Sequence, residues 1–163
     1  MNSTKPQIHL FTDGSVNPQS GVGFGAYLLI NDLNAIVSEL EKEIKIRKFN
    51  NTSSTKLELE TLLWALTDIS SNNNKILIYT DCQNIIGLKD RREKFEKNNY
   101  ITGKGKQIKN HELYKKFYNL VDTLDCEFIK VKGHKKTSIK NEIDEIFTLV
   151  DKATRTALRN SIL

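Results

Sequence analysis

The chain has 163 residues, 38% hydrophobic and 28% charged, which suits a single globular domain over residues 1–163 with a buried core. No apolar run is long enough to cross a bilayer, and the polar start lacks the apolar core of a signal peptide, so a cytoplasmic protein with no membrane role is expected. The net charge of +5 is uneven: residues 89–140 carry 15 Lys+Arg against 7 Asp+Glu, residues 1–88 carry 7 against 9 and residues 141–163 carry 3 against 4. A basic block of this kind suits a polyanion-binding face.

From Gln7 to Asp13, Ile8, Leu10 and Thr12 alternate with His9, Phe11 and Asp13, the period of a strand, and Gly14 is expected to end it. Residues 22–30 and roughly 34–44 read as two more strands joined by a turn near Asn31 and Asp32, giving an antiparallel meander. The period then changes. Leu59, Leu62, Leu63, Leu66 and Ile69 follow helical spacing within 56–70, with Ser and Thr at the N-cap and three asparagines beyond the end. Residues 75–81 form a fourth strand and 83–89 a short helix. A polar, basic connection runs from Asp90 to Asn110, a helix from His111 to Leu124, a fifth strand from Glu127 to Lys132 and a last helix from Asn141 to Asn160. The order β-β-β-α-β-α-β-α predicts an α/β fold: a mixed five-stranded sheet, three strands antiparallel and two parallel, flanked by helices.

Cys82 and Cys126 lack metal-ligand spacing and are expected as reduced thiols. The chemistry lies in the acids. Leu10-Phe11-Thr12-Asp13 and Ile78-Tyr79-Thr80-Asp81 are both apolar strands ending in Thr-Asp. As parallel neighbours about 4.8 Å apart they would bring two carboxylates to one sheet edge, where α/β sheets place their ligands. Glu58 stands beside the buried stripe of the first long helix, where an unpaired charge is costly. Glu60 reads as solvated or structural. Asp144 and Asp151, seven residues apart and so on nearly one face of the last helix, are alternatives for a fourth carboxylate. Clustered carboxylates suit hard cations such as Mg²⁺ or Mn²⁺, and two such ions about 4 Å apart serve phosphodiester cleavage. No covalent-nucleophile motif, P-loop or zinc set is found.

Thr12-Asp13-Gly14-Ser15, Lys56-Leu57-Glu58-Leu59, Tyr79-Thr80-Asp81-Cys82-Gln83, Lys132-Gly133-His134 and Val150-Asp151-Lys152-Ala153-Thr154-Arg155 together resemble type 1 ribonuclease H, in family order and over nearly the whole chain. The resemblance implies an RNase H-like fold and an endonuclease that hydrolyses the RNA strand of RNA–DNA hybrids with two Mg²⁺ ions, leaving 5′-phosphate and 3′-hydroxyl ends. It implies Asp13, Glu58 and Asp81 as metal ligands and His134 as the loop histidine assisting proton transfer or product departure, with His9 and His111 structural. For the last ligand Asp151 is preferred, inside the apolar-periodic helix, with Asp144 as the alternative; the loop after His134 would then be longer than usual.

Substrate contacts implied by the same likeness are Gly14, Ser15, Asn17 and Gln83, with Ser54 and Thr55 where many bacterial members carry paired asparagines. The loop 16–20 is shorter than the usual glycine-rich version. Arg91, Arg92, Lys94 and Lys97, followed by Lys104, Lys106 and Lys109 around Tyr100, stand where the family has its basic protrusion; Lys135 and Lys136 flank His134. Such a block would hold the DNA-strand phosphates and make binding salt-sensitive. The expected partner is the hybrid, and a monomer is expected because no surplus apolar stripe demands a dimer.

Overall fold

A computed structural model describes residues 5–69, 73–132 and 141–162. Its five strands are β1 (Gln7–Asn17), β2 (Val22–Ile30), β3 (Lys45–Phe49), β4 (Lys75–Thr80) and β5 (Asp125–Lys130). They form one sheet in the order β3-β2-β1-β4-β5. β1 pairs antiparallel with β2, and β2 with β3, while β1–β4 and β4–β5 are parallel. This is the mixed sheet expected from the element order. The helices are α1 (Val37–Leu40), α2 (Ser54–Asp68), α3 (Gln83–Ile86), α4 (Leu88–Lys97), α5 (His111–Thr123) and α6 (Glu142–Asn160).

Strand alternation divides the core in two. Ile8, Leu10, Ile76 and Ile78 pack with Leu59, Leu62 and Leu66 of α2 and with Tyr114 and Phe117 of α5. Phe11, Leu28 and Tyr79 pack on the other side with Leu40 and with Ile146, Phe147 and Val150 of α6. Glycines let α2 sit close to the sheet. A Cβ at Gly25 would lie 2.0 Å from Thr61 Oγ1, and one at Gly23 2.7 Å from Leu57 Cδ2.

Three expectations are corrected. β1 does not end at Gly14: residues 14–17 remain paired with β2, Gly14 opposite Gly25, because the hairpin ladder continues after the last parallel pair, Phe11–Tyr79. The third strand is Lys45–Phe49, not 34–44. Residues 37–40 turn into helix to bury Leu40, while the strand itself is an outer, mostly exposed one rich in Lys and Arg, a usual composition for a sheet edge. The basic connection is helical in its first part. α4 runs to Lys97 with Leu88 its one buried residue, too few apolar positions to show a period.

Candidate active site

β4 ends at Thr80, whose hydroxyl accepts the Cys82 N–H at 3.1 Å and turns the chain away. The parallel register pairs Phe11 with Tyr79, and continued by two residues it sets Asp13 against Asp81. Asp13, within β1, follows the alternation of Phe11 toward the α6 side, and Asp81 stands just past the end of β4. Glu58 comes from the opposite side, on α2, and reaches them past Gly14. A Cβ there would lie 2.9 Å from Leu57 Cγ and 3.7 Å from Glu58 Oε1.

One oxygen from each of Asp13, Glu58 and Asp81 lies within 4.8 Å of the others. Asp13 is 4% exposed and Glu58 8%. Burial, then the charges of Glu58 and Asp81, then Asp151 push the Asp13 carboxyl up to about 10. Burial, then the charge of Asp81, raise Glu58 to about 8, with the neighbouring Asp13 carboxyl and Gly14 N–H countering part of the rise. Without a cation, this pocket resists full ionisation. Glu58 Oε2 is buried and has no hydrogen-bond partner. A buried acceptor without a donor is costly, and a hard divalent cation among all-oxygen ligands would relieve it, so the donor set fits Mg²⁺ or Mn²⁺.

The same cleft is lined by Ser54, Cys82, Asp151 and Arg155. Asp151 lines the cleft with Asp13, whose carboxyl it helps to raise, and is held by Arg155, whose Nε and Nη2 donate to Oδ1 at 3.0 Å and Oδ2 at 2.5 Å. Asp144 serves elsewhere, in a capping box at the start of α6: its N–H donates to Asn141 Oδ1 at 3.0 Å while its Oδ2 accepts the Asn141 N–H at 3.1 Å.

The other candidates disperse. Ser15 shares a 2.8 Å hydrogen bond with Thr154, whose hydroxyl donates to Asp151 O, so it ties β1 to the turn of α6 that carries Asp151. Asn17 caps the hairpin tip, its Oδ1 accepting the Gln19 N–H at 3.0 Å. Ser54 stays at the cleft, and it and Thr55 are exposed in the first turn of α2, while Gln83 opens α3, where it accepts from Lys130. Glu60 is structural, accepting from Thr52 at 2.6 Å. Arg91 donates to Asn84 O and Oδ1, and Arg92 makes a bidentate pair with Asp122 at the surface while also donating to Glu96, so both guanidinium groups are engaged by the protein itself. Lys94 and Lys97 are exposed on α4. His134, Lys135 and Lys136 lie outside the described residues. Arg155 had no role assigned from sequence, although it closes the last of the family-like motifs and stands at i, i+4 from Asp151.

Residues 5–157 match the family model described as RNase H. The chain belongs to the RNase H family. Among curated relatives, this RNase H chain is 27% identical over 144 residues to the Ribonuclease H of Caldicellulosiruptor saccharolyticus, covering 86% of the chain and 92% of the relative. The Ribonuclease H of Clostridium botulinum is 29% identical over the same length, with the same coverage. Among solved structures, the PFV RNase H domain superposes with a TM-score of 0.73 at 16% identity, covering 94% of each chain. LC9-RNase H1, a type 1 RNase H with the type 2 active-site motif, superposes with a TM-score of 0.70 at 16% identity, covering 96% of this chain and 74% of its own. The structural matches show the RNase H-like fold. Family membership together with the acidic cluster makes the chain a ribonuclease H, a metal-dependent endonuclease.

Proposed function

We propose that the chain hydrolyses the RNA strand of RNA–DNA hybrids, leaving 5′-phosphate and 3′-hydroxyl ends, with Asp13, Glu58, Asp81 and Asp151 holding two Mg²⁺ ions for which Mn²⁺ substitutes. The observation that carries this is the meeting of three carboxylates from β1, α2 and the end of β4 within 4.8 Å, in a chain of the RNase H family. Bound divalent ions would activate the attacking water and stabilise the departing oxygen. The protein's share is to hold the acids in place. Gly14 admits Glu58, the Thr80 turn fixes Asp81, and the Ser15–Thr154 bond fixes the turn bearing Asp151. Ser54 and Thr55 at the rim, with Asn17, Gln83 and the Gly14 backbone, are proposed to meet the hybrid's sugars and phosphates, the 2′-hydroxyl marking the RNA strand. His134 is proposed to assist proton transfer or product departure.

A hybrid with each strand separately labelled, titrated with Mg²⁺ and Mn²⁺, tests the reading. The RNA strand should be cut and the DNA strand spared, with no cleavage in EDTA or after Asp81→Asn. Equal cutting of an all-DNA duplex would point to a DNA nuclease, and tight hybrid binding without cleavage in either metal would point to a binding module.

A further inference from the structure

Among the described residues lining the acidic cleft, Arg155 is the one cation, and it grips both oxygens of Asp151. We propose that Arg155 is a positioning residue that acts as the resident counter-ion of the cleft, holding Asp151 in place before divalent ions arrive and weakening their binding by its charge. The inference rests on the metal-binding reading of the site.

Its physical basis is the geometry around Asp151. The main chain of that turn is already held by Ser15 and Thr154, the latter fully buried, so the turn does not need Arg155 to stay docked. What Arg155 adds is a planar fork on the side chain, fixing the direction of the carboxylate and setting one positive charge beside several negative ones. A solvated surface pair would contribute little. This one differs because Asp151 and Arg155 line the same cleft as Asp13, a carboxyl that is 4% exposed, so the guanidinium charge sits beside the buried cluster rather than out in solvent. Divalent ions entering the cleft meet that charge as a repulsion and Asp151 as a ligand already engaged.

Binding of Mn²⁺ alone, without nucleic acid, tests this by calorimetry and by loss of the free-ion electron paramagnetic resonance signal. Arg155→Gln should tighten Mn²⁺ binding roughly 3- to 10-fold, the scale of removing one charge several ångströms from a divalent ion at a partly exposed site. Arg155→Lys, which keeps the charge, should stay within about 2-fold of the parent by the same reasoning. Arg159→Gln, an equal loss of charge one turn further along α6 at an exposed position, should leave affinity unchanged. Circular dichroism of each variant establishes that it is folded. The inference is overturned if Arg155→Gln leaves affinity unchanged or weakens it, if Arg155→Lys tightens as much as Arg155→Gln, or if Arg159→Gln tightens equally. A parent chain that takes up no Mn²⁺ at millimolar concentration overturns instead the reading of the site on which the inference rests.

Discussion

Asp13 is buried among Glu58, Asp81 and Asp151, so in the metal-free protein its ionised form is opposed both by desolvation and by like charge. Burial and like charge hold both its carboxyl and that of Glu58 well above the ordinary carboxylate values of 3.8 and 4.5. Above about pH 4 the unfolded chain therefore releases protons that the folded chain retains, and folding stability without metal falls as pH rises through the range up to those raised values. A divalent cation prefers the ionised acids and reverses the trend. The melting temperature in EDTA should drop between pH 5 and 9, and the rise on adding Mg²⁺ should widen over the same interval. Asp13→Asn removes the penalty. It should stabilise the metal-free protein by about 1–3 kcal/mol at pH 8, roughly 2–10 °C, while lowering cleavage roughly a hundredfold or more. A flat melting temperature in EDTA across that range would contradict the account. Asp13, Glu58 and Asp81 were legible in the sequence because each acid interrupts or ends an apolar pattern. Arg155 was not, since helix surfaces hold many i, i+4 pairs and this one gains meaning only from what Asp151 faces.

α2 carries Glu58, and its depth over the sheet is set by glycines in the β1–β2 hairpin rather than by α2 itself. At Gly25 an added methyl group would run into Thr61, whose hydroxyl is fixed by donating to Leu57 O at 2.7 Å. Gly25→Ala should cost about 1–3 kcal/mol in urea denaturation, as overpacking does, and the displaced helix should lower activity beyond the fraction unfolded. Thr61→Ala, added to it, should recover part of both. α6 offers a separate test at its two acids. Asp144→Ala removes half of a capping box and should cost about 1 kcal/mol with turnover largely kept, whereas Asp151→Asn should abolish cleavage with little loss of stability. The reverse pattern would make Asp144 the fourth ligand. At this scale β1, β2, β4, β5, α2, α5 and α6 were legible, each having a run of apolar residues at one period. β3 was not, because Lys45, Arg47 and Lys48 on an exposed edge carry no burial signal, and the apolar residues that suggested a strand at 34–44 bury Leu40 through a helical turn instead. The extension of β1 past Gly14 was hidden for another reason: it depends on β2 as a partner, which a single strand's pattern does not reveal.

Across the whole molecule, positive charge is concentrated between residues 89 and 140 while the cleft is acidic, and the two must act together on one polyanion. The structure divides the basic residues by what they touch. Arg91 and Arg92 bind Asn84, Glu96 and Asp122 and stack over Phe95 and Tyr118 at 5.6 and 5.0 Å, which locks α3, α4 and α5 to one another. Lys94, Lys97, Lys104, Lys106 and Lys109 are exposed. Phosphate binding is therefore expected from the lysines, with the arginines supporting the elements that present them. Replacing Lys94, Lys97, Lys104 and Lys106 together by Gln should weaken hybrid binding at low salt and flatten the plot of log affinity against log salt by about 0.9 for every phosphate no longer neutralised, on the scale of duplex DNA. The melting temperature should barely move, since exposed lysines contribute little to folding. Arg91→Gln and Arg92→Gln should do the opposite, lowering the melting temperature while leaving the salt slope close to that of the parent. Equilibrium binding in EDTA, where no strand is cut, separates these effects from chemistry. A slope unchanged by the four lysine substitutions would remove this face from the hybrid's path, and a slope reduced by either arginine alone would return that arginine to the nucleic-acid surface.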